Sequence, residues 1–502
     1  MLRERKLLRK SIVFVNEKNE VTYEGGEDIV GRYIYPAYID DLYVRIEDNK
    51  EKTKVNTEEC FITEFESVES ESDYHTFADE YHFNGVYMAF NLNKVDTLKY
   101  FGVDLKDELF NKDELIEGVN EILTSNGFRN VKDKNQIMID ERGYLQVVVL
   151  DKRFDDDIFS CSKEILNYIR NYYDKNGVHI TRMFGSYILI KNENSDLKAI
   201  KATPIPIKYC PLMIKLLEEV GGENALSIID TLKTEDKMKQ EEAMLNLINN
   251  VVIKGGYFDT NRSLNSCEAN VLFGASETMS SAFKSGLIDC SVIVSNNLGT
   301  IITTNEFNTQ GAVKRMTGLF HTSPSEKIME TAYEEDIIPV FPYTAEIDQL
   351  EGVKMAIELG YKNIAVSVAA SDNYLHEELS QLEKDNDVVI YKFGLCSTGI
   401  DYDTALAIKE HSDVVWSCAS KYIKEEIEPN AVAQVGVKIP VHIMTEQGWK
   451  IVSNHLKYMG FLEDVTLQRG EEKPILLNND GNIKVLTKKN LRKCTDCPHP
   501  CI

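Results

Sequence analysis

From about residue 270 onward the chain repeats one pattern, and that pattern limits the possible folds more than any other feature. Five short apolar runs are β-branched and hardly alternate: LIDCSVIVS (287–295), NIAVSVA (363–369), DVVIYKF (387–393), DVVWSCA (413–419) and IPVHIM (439–444). Alternation marks a strand with one wet face; its absence marks a strand buried on both faces, as in parallel sheets whose crossover helices cover either side. The intervening segments suit that role. EIDQLEGVKMAIEL is amphipathic and stops at Gly360, DYDTALAIKEH follows, and EQGWKIVSNHLKYM lies between a capping Thr445 and Gly460. The expected fold is α/β, a doubly wound, mostly parallel sheet domain over 205–460, preceded by an α+β N-terminal domain.

The rest of the chain divides by punctuation. Residues 1–70 read as β-rich hairpins. Residues 71–200 alternate strand-like and helical runs, among them a helix from Lys112 to Asn126, the strand GYLQVVVLD and the helix CSKEILNYIRNYYDK. Prolines 204, 206 and 211 mark a linker near 205. Residues 461–502 hold one hairpin, PILLNN-Asp480-Gly481-NIKVL, and a cysteine-rich tail.

Charge restricts the partners. With 81 acidic and 56 basic residues the net charge is -25, which argues against nucleic acid or an anionic membrane as a non-specific partner. A small anionic ligand at a local positive spot remains compatible. No apolar run reaches the ~18 residues of a membrane span, and the basic N-terminal stretch lacks a signal-peptide core. The expected location is cytoplasmic, where the ten cysteines are thiols or metal ligands.

Ligands in open α/β sheets bind outside the carboxyl ends of the strands. After VIVS come Asn296, Asn297, Leu298, Gly299 and Thr300; after VIYKF come Gly394, Leu395, Cys396, Ser397, Thr398 and Gly399. These small polar turns fit a phosphate or carboxylate cradle, although none matches a Walker loop or a dinucleotide fingerprint. Ordinary turn chemistry explains them equally well. Cys396, Cys418 and Lys421 follow strands at this edge and are candidate catalytic groups, with the two thiols activated by nearby helix N-termini or else packed as small core residues. Cys290 starts its strand at the opposite edge and reads as core.

Metal chemistry is expected elsewhere. Cys494, Cys497 and Cys501 crowd the last nine residues beside His499. Their spacing suits zinc or an iron–sulfur cluster, with a fourth ligand from His499 or from Cys210, Cys267, Cys396 or Cys418; without metal, the segment is a thiol-rich disordered end. His75, Asp79 and His82 fall on one face if helical and offer two imidazoles and a carboxylate, or simply a solvated acidic helix. His321 follows the basic pair Lys314-Arg315, a place for an anion to dock or an ordinary solvated surface.

The runs KYCPL, SGLIDCSVIVSNNLGTIITTN, QGAVKRMTGLFHTSP, TAEIDQLEGVKMAIELGYKNIAVSVA, SDVVWSCASKYI and AQVGVKIPVHIMTE resemble the methanogenesis marker protein 8 family. The resemblance covers about half the chain and implies a role tied to methanogenesis, with a protein partner in the maturation of methyl-coenzyme M reductase or a cofactor. It carries over no catalytic residue. Separately, Asp157 to Ser162 (DIFSCS), read as lying between a strand and a helix, looks like part of prokaryotic S-adenosylmethionine decarboxylases. The self-cleaving Glu-Ser step of those enzymes is replaced here by Glu141-Arg142-Gly143, so the resemblance implies a shared sandwich without the chemistry. Three functions follow: a metal- or cluster-binding maturation factor, an enzyme for a small anionic metabolite at the sheet's carboxyl edge, or a non-catalytic scaffold.

Overall fold

The computed structural model describes residues 14–15, 21–22, 32–37, 60–67, 83–105, 109–128, 137–139, 143–149, 156–193, 196–206, 236–268, 271–313, 318–369, 373–436, 440–460, 474–479 and 482–487. The chain forms two units, one of Met1–Gly177 with Ser323–Glu326 and Phe341–Ala345, the other of Val178–Thr322, Lys327–Val340 and Glu346–Ile502.

In the first unit, β1 (Phe14–Val15) pairs with β2 (Val21–Thr22). An antiparallel sheet follows the order β3 (Arg32–Ala37), β4 (Cys60–Ser67), β5 (Phe83–Asn91), β7 (Tyr144–Val149), β6 (Ile137–Ile139). Its helices are α1 (Thr97–Phe101), α2 (Lys112–Ser125) and α3 (Asp156–Asn176). Asn111 starts α2 by accepting the Glu114 N–H, and Leu115, Val119 and Leu123, four residues apart, put one apolar stripe into the core. There they meet Phe90, Leu145, Val147, Ile165 and Ile169. The DIFSCS run is part of α3, not a strand–helix junction. Its Cys161 is buried, and burial pushes the thiol up to about 12, so it is a packing residue rather than a nucleophile.

Among the described residues the second unit has two sheets. The smaller is antiparallel, in the order β10 (Asp196–Ala202), β9 (Ser186–Glu193), β8 (Val178–Met183), β13 (Leu319–Thr322). Against it packs α4 (Lys237–Leu247), which continues as a π-helical turn over Ile248–Ile253; Met244, Leu247, Ile248 and Val252 meet Ile188, Ile190 and Ala199. The expected break at 205 therefore does not separate the units, because β8 pairs with β13, whose Thr322 lies 143 residues beyond its partner His179.

The larger sheet contains the parallel strands β11 (Cys290–Ser295), β15 (Asn363–Ala369), β16 (Val389–Leu395) and β17 (Val414–Trp416), in that order. On one side lie β12 (Gly299–Thr303) and β14 (Ile338–Pro339); on the other lie β19 (Val441–Ile443), β18 (Ala433–Val435), β20 (Pro474–Asn479) and β21 (Asn482–Thr487). The helices are α5 (Ala275–Lys284), α6 (Glu306–Ala312), α7 (Glu326–Glu334), α8 (Gln349–Glu358), α9 (Asn373–Asn386), α10 (Tyr402–His411) and α11 (Glu446–Tyr458). Both faces are covered, as the unalternated runs require. Ile293 shares a core with Met279 of α5 and Val452 of α11, while its neighbour Val292 turns to α8, where a Cβ on Gly352 would lie 2.6 Å from it.

Two details differ from the sequence-based expectation. IPVHIM supplies β19, which runs antiparallel to both β17 and β18. Only five residues separate β18 from β19, too few for the crossover that a parallel pair needs. Likewise β11 and β12 form a hairpin, in register Ser295↔Gly299, so Gly299 and Thr300 are strand residues and no helix begins after VIVS.

Candidate functional site

The small sheet's edge strand crosses the carboxyl edge of the large sheet. At the end of β13, Thr322 Oγ1 accepts the Asn297 N–H at 2.8 Å, next to the carboxyl end of β11. Before its start, Gly318 sits so close to Cys396 that a Cβ there would lie 3.1 Å from Sγ, at the carboxyl end of β16. Between β11 and β16 lies β15, so β13 spans the ends of three parallel strands.

At the β11 end, polar groups are buried together. Asn297 takes the left-handed conformation at φ 62°, which asparagine tolerates better than most residues. Asn296 Nδ2 donates to Asn297 Oδ1 at 2.8 Å, and Thr322 Oγ1 bonds Asn296 Oδ1 at 3.1 Å and His179 Nδ1 at 2.8 Å. Arg262 Nη2 donates to Ser295 Oγ at 3.3 Å and to the Asn296 carbonyl, and its Nη1 to the Asp259 carbonyl at 3.2 Å. Although partly exposed, the guanidinium is deep enough that burial lowers its pKa to about 10. Burial, then His321 and Arg262, push His179 down to about 3; burial alone pushes His321 down to about 4. Both imidazoles are therefore neutral near pH 7.

At the β16 and β17 ends, two loops are knit to each other. Ser397 Oγ donates to the Trp416 carbonyl at 2.9 Å and accepts the Cys418 N–H at 2.8 Å. The Gly399 N–H reaches the Ala419 carbonyl at 2.8 Å. Arg182 of β8 clamps the first loop, donating to the carbonyls of Cys396 at 3.3 Å and Thr398 at 2.8 Å. Cys396 has φ 55°, an uncommon conformation for a residue with a Cβ. Ser417 and Ser420, on either side of Cys418 and Ala419, have buried hydroxyls with no hydrogen-bond partner among the described residues.

The expected residues thus divide. Asn296, Asn297, Cys396 and Cys418 lie at this edge, and both thiols are partly exposed. Gly394 is inside β16. Thr300 is buried in β12, where its hydroxyl accepts the Asp348 N–H at 2.9 Å and so holds the start of α8. Ser397 already serves two backbone groups, which makes it a loop tie rather than a ligand donor. Lys421 points away into a 3.9 Å pair with Glu425, and both are exposed. Cys290 is core, its thiol pushed up to about 12 by burial. Cys267 is exposed. His75, Asp79, His82, Cys210, Lys314, Arg315, Cys494, Cys497, His499 and Cys501 lie outside the described residues. Among the described residues, no three His, Cys, Asp or Glu side chains converge as a metal site. Nor is any described helix long and apolar enough to cross a membrane.

Sequence reasoning missed Arg182, Arg262 and His179. Each precedes the repeating region by sequence position and reaches the edge only through tertiary folding. The sequence singled out His321, but for its basic neighbours rather than for its place on β13.

Residues 179–457 match a family described as an uncharacterised protein conserved in archaea. The chain is 34% identical over 284 residues to an uncharacterised protein of Methanocaldococcus jannaschii, covering 56% of this chain and 91% of that protein. It is also 25% identical over 158 residues to a phenylcoumaran benzylic ether reductase of Nicotiana tabacum, covering 30% of this chain and 51% of the reductase.

Proposed function

The chain belongs to this family of uncharacterised proteins conserved in archaea, and on that footing we propose that it binds a small anionic metabolite between β13 and the carboxyl ends of β11, β15 and β16. The observation that carries this reading is the crossing itself: β13 reaches from Asn297 to Cys396 over the edge where α/β sheets take their ligands. The orphaned hydroxyls of Ser417 and Ser420 add to it, since buried polar groups need partners. In this reading Cys396 and Cys418 flank the ligand. The partial likeness to a plant reductase is in keeping with a small-molecule site and contributes no residue role. The sequence resemblance to methanogenesis marker protein 8 would set the ligand in methanogen metabolism.

Site-resolved alkylation tests the proposal. Screening anionic metabolites by thermal shift identifies a stabilising ligand. That ligand should slow iodoacetamide modification of Cys396 and Cys418 several-fold and leave the exposed Cys267 unchanged. Equal protection of all three, or of none, would remove the crevice as the site.

A second reading keeps the terminal thiols. The spacing of Cys494, Cys497 and Cys501 supports a zinc or iron–sulfur centre and a role as a maturation factor for a protein partner. Anaerobic purification with metal analysis tests it. A triple Cys→Ser variant retaining the wild-type metal content would exclude it.

A further inference from the structure

A buried hydroxyl without a partner is uncommon, because its desolvation goes uncompensated. Two of them lie three residues apart after β17. Ser417 is 6% exposed and Ser420 1%, and neither Oγ has a hydrogen-bond partner among the described residues. The chain between them reaches the surface, since Cys418 and Ala419 are both partly exposed. Hydrogen bonds place the two serines along one seam. Ser397 Oγ joins the Trp416 carbonyl and the Cys418 N–H, the peptide groups on either side of Ser417. The Gly399 N–H reaches the carbonyl of Ala419, the residue before Ser420. The loops leaving β16 and β17 therefore run side by side, with one orphaned hydroxyl next to each tie. Arg182 fixes the first loop by the carbonyls of Cys396 and Thr398. The seam is also free of acid. Residues 394–400 and 416–422 include no Asp or Glu in a chain that has 81. Lys421 follows Ser420, and its 3.9 Å pair with Glu425 is exposed on both sides and so weak.

We infer that this seam, at the β16 end of the crevice, seats an oxyanion, the phosphate or carboxylate group of the bound metabolite, with Ser417 and Ser420 as hydroxyl donors. This deepens the crevice reading and rests on it. An oxyanion accepts from both hydroxyls and supplies the partners they lack. A hydrogen bond to a charged acceptor is about twice as strong as a neutral one. Hydroxyls also suit a seat that must fold without its ligand, because leaving them unbonded costs less than burying a lone cation. Ser397, already bonded to two backbone groups, positions the second loop rather than touching the anion.

The test uses the full chain with inorganic phosphate and with malonate, each against chloride at equal ionic strength. Wild type should show saturable thermal stabilisation by at least one of them. Response to phosphate alone assigns a phosphoryl group, and response to malonate alone a carboxylate. Ser417→Ala and Ser420→Ala should each weaken that binding several-fold, and the double variant by roughly tenfold or more. In chloride, each single variant should unfold at or above the wild-type temperature, because it removes a buried polar atom that lacks a partner. A lower temperature in both would show the hydroxyls already bonded, to a structural water for example, and overturns the seat. Wild-type affinity in the double variant overturns it too, as does the lack of a saturable response in wild type. Should the double variant fail to fold, the single variants decide, and unchanged affinity in both overturns the inference. Metabolite protection of Cys396 and Cys418 in wild type is read separately, so the crevice can stand while the seat falls.

Discussion

Lys392 shows at the scale of one residue how this sheet tolerates charge. Its ammonium is buried 2.5 Å from Glu383 and 3.6 Å from Asp413, and bonds the Ile390 carbonyl at 3.2 Å. Asp413 also accepts the Lys392 N–H at 2.8 Å and the Thr445 hydroxyl at 2.6 Å. Two carboxylates thus share one cation, and burial raises the Asp413 pKa while Lys392 opposes the rise. Lys392→Met should cost about 3–5 kcal/mol in urea unfolding at pH 7, because it strands buried negative charge. The pH dependence follows from the direction of the shift. A carboxyl whose folded pKa lies above its unfolded value of 3.8 contributes stability that is full below that value and lost as pH rises through the folded pKa. The variant's deficit should therefore narrow between pH 7 and pH 5. An equal deficit at both would refute the charge account. None of this was legible in the sequence, where Lys392 is one polar letter in a run that reads as buried on both faces.

Elements were more legible than their pairing. The Thr445 cap read from sequence is present, with its hydroxyl accepting the Gly448 N–H at 2.9 Å. Gly360 and Gly460 end their helices at φ 92° and 75°, as expected of left-handed stops. Thr445 caps through a local bond, which is why local sequence reveals it; Asp348 and Asp401, not singled out from sequence, cap their helices in the same way. Gly448 has a different reason that no local signal gives. A Cβ there would lie 2.1 Å from the Asp413 carbonyl oxygen, so α11 comes that close to the backbone leading into β17. Gly448→Ala should cost at least about 2 kcal/mol through overpacking, seen as a lower urea midpoint at unchanged slope. Gly360→Ala, with open space around it, should cost only about 1 kcal/mol from its backbone angle. If the two variants lose equal stability, the close approach does not matter. The NNLGT segment shows the converse difficulty. Its small polar residues suit both a βα turn and a hairpin, and only the partner strand GTIIT decides between them.

For the whole molecule, buried histidines link folding to acidity. His179, His321 and His376 are held neutral by burial, with pKa values of about 3, 4 and 3. Because these folded values lie below the unfolded 6.5, their stability is full above pH 6.5 and is lost as pH falls toward the folded values. Each should cost roughly 1 kcal/mol by pH 5.5. Most carboxylates titrate below ~5, so relief of acidic self-repulsion contributes little in that window. Chemical denaturation at pH 7 and pH 5.5 checks the expected loss, and equal stability at both would contradict it. By itself the sequence determined the α/β class, the doubly covered parallel strands and the helix ends at Gly360, Thr445 and Gly460, because burial period and capping are encoded within a few residues of one another. Only the tertiary structure decided that β8 and β13 join, with His179 and Thr322 143 residues apart, that β19 is reversed, and that Arg262 and His179 reach the same sheet edge. Those contacts depend on strand order and on the path of the chain, and residues that meet in this way carry no mark of their partners in local sequence.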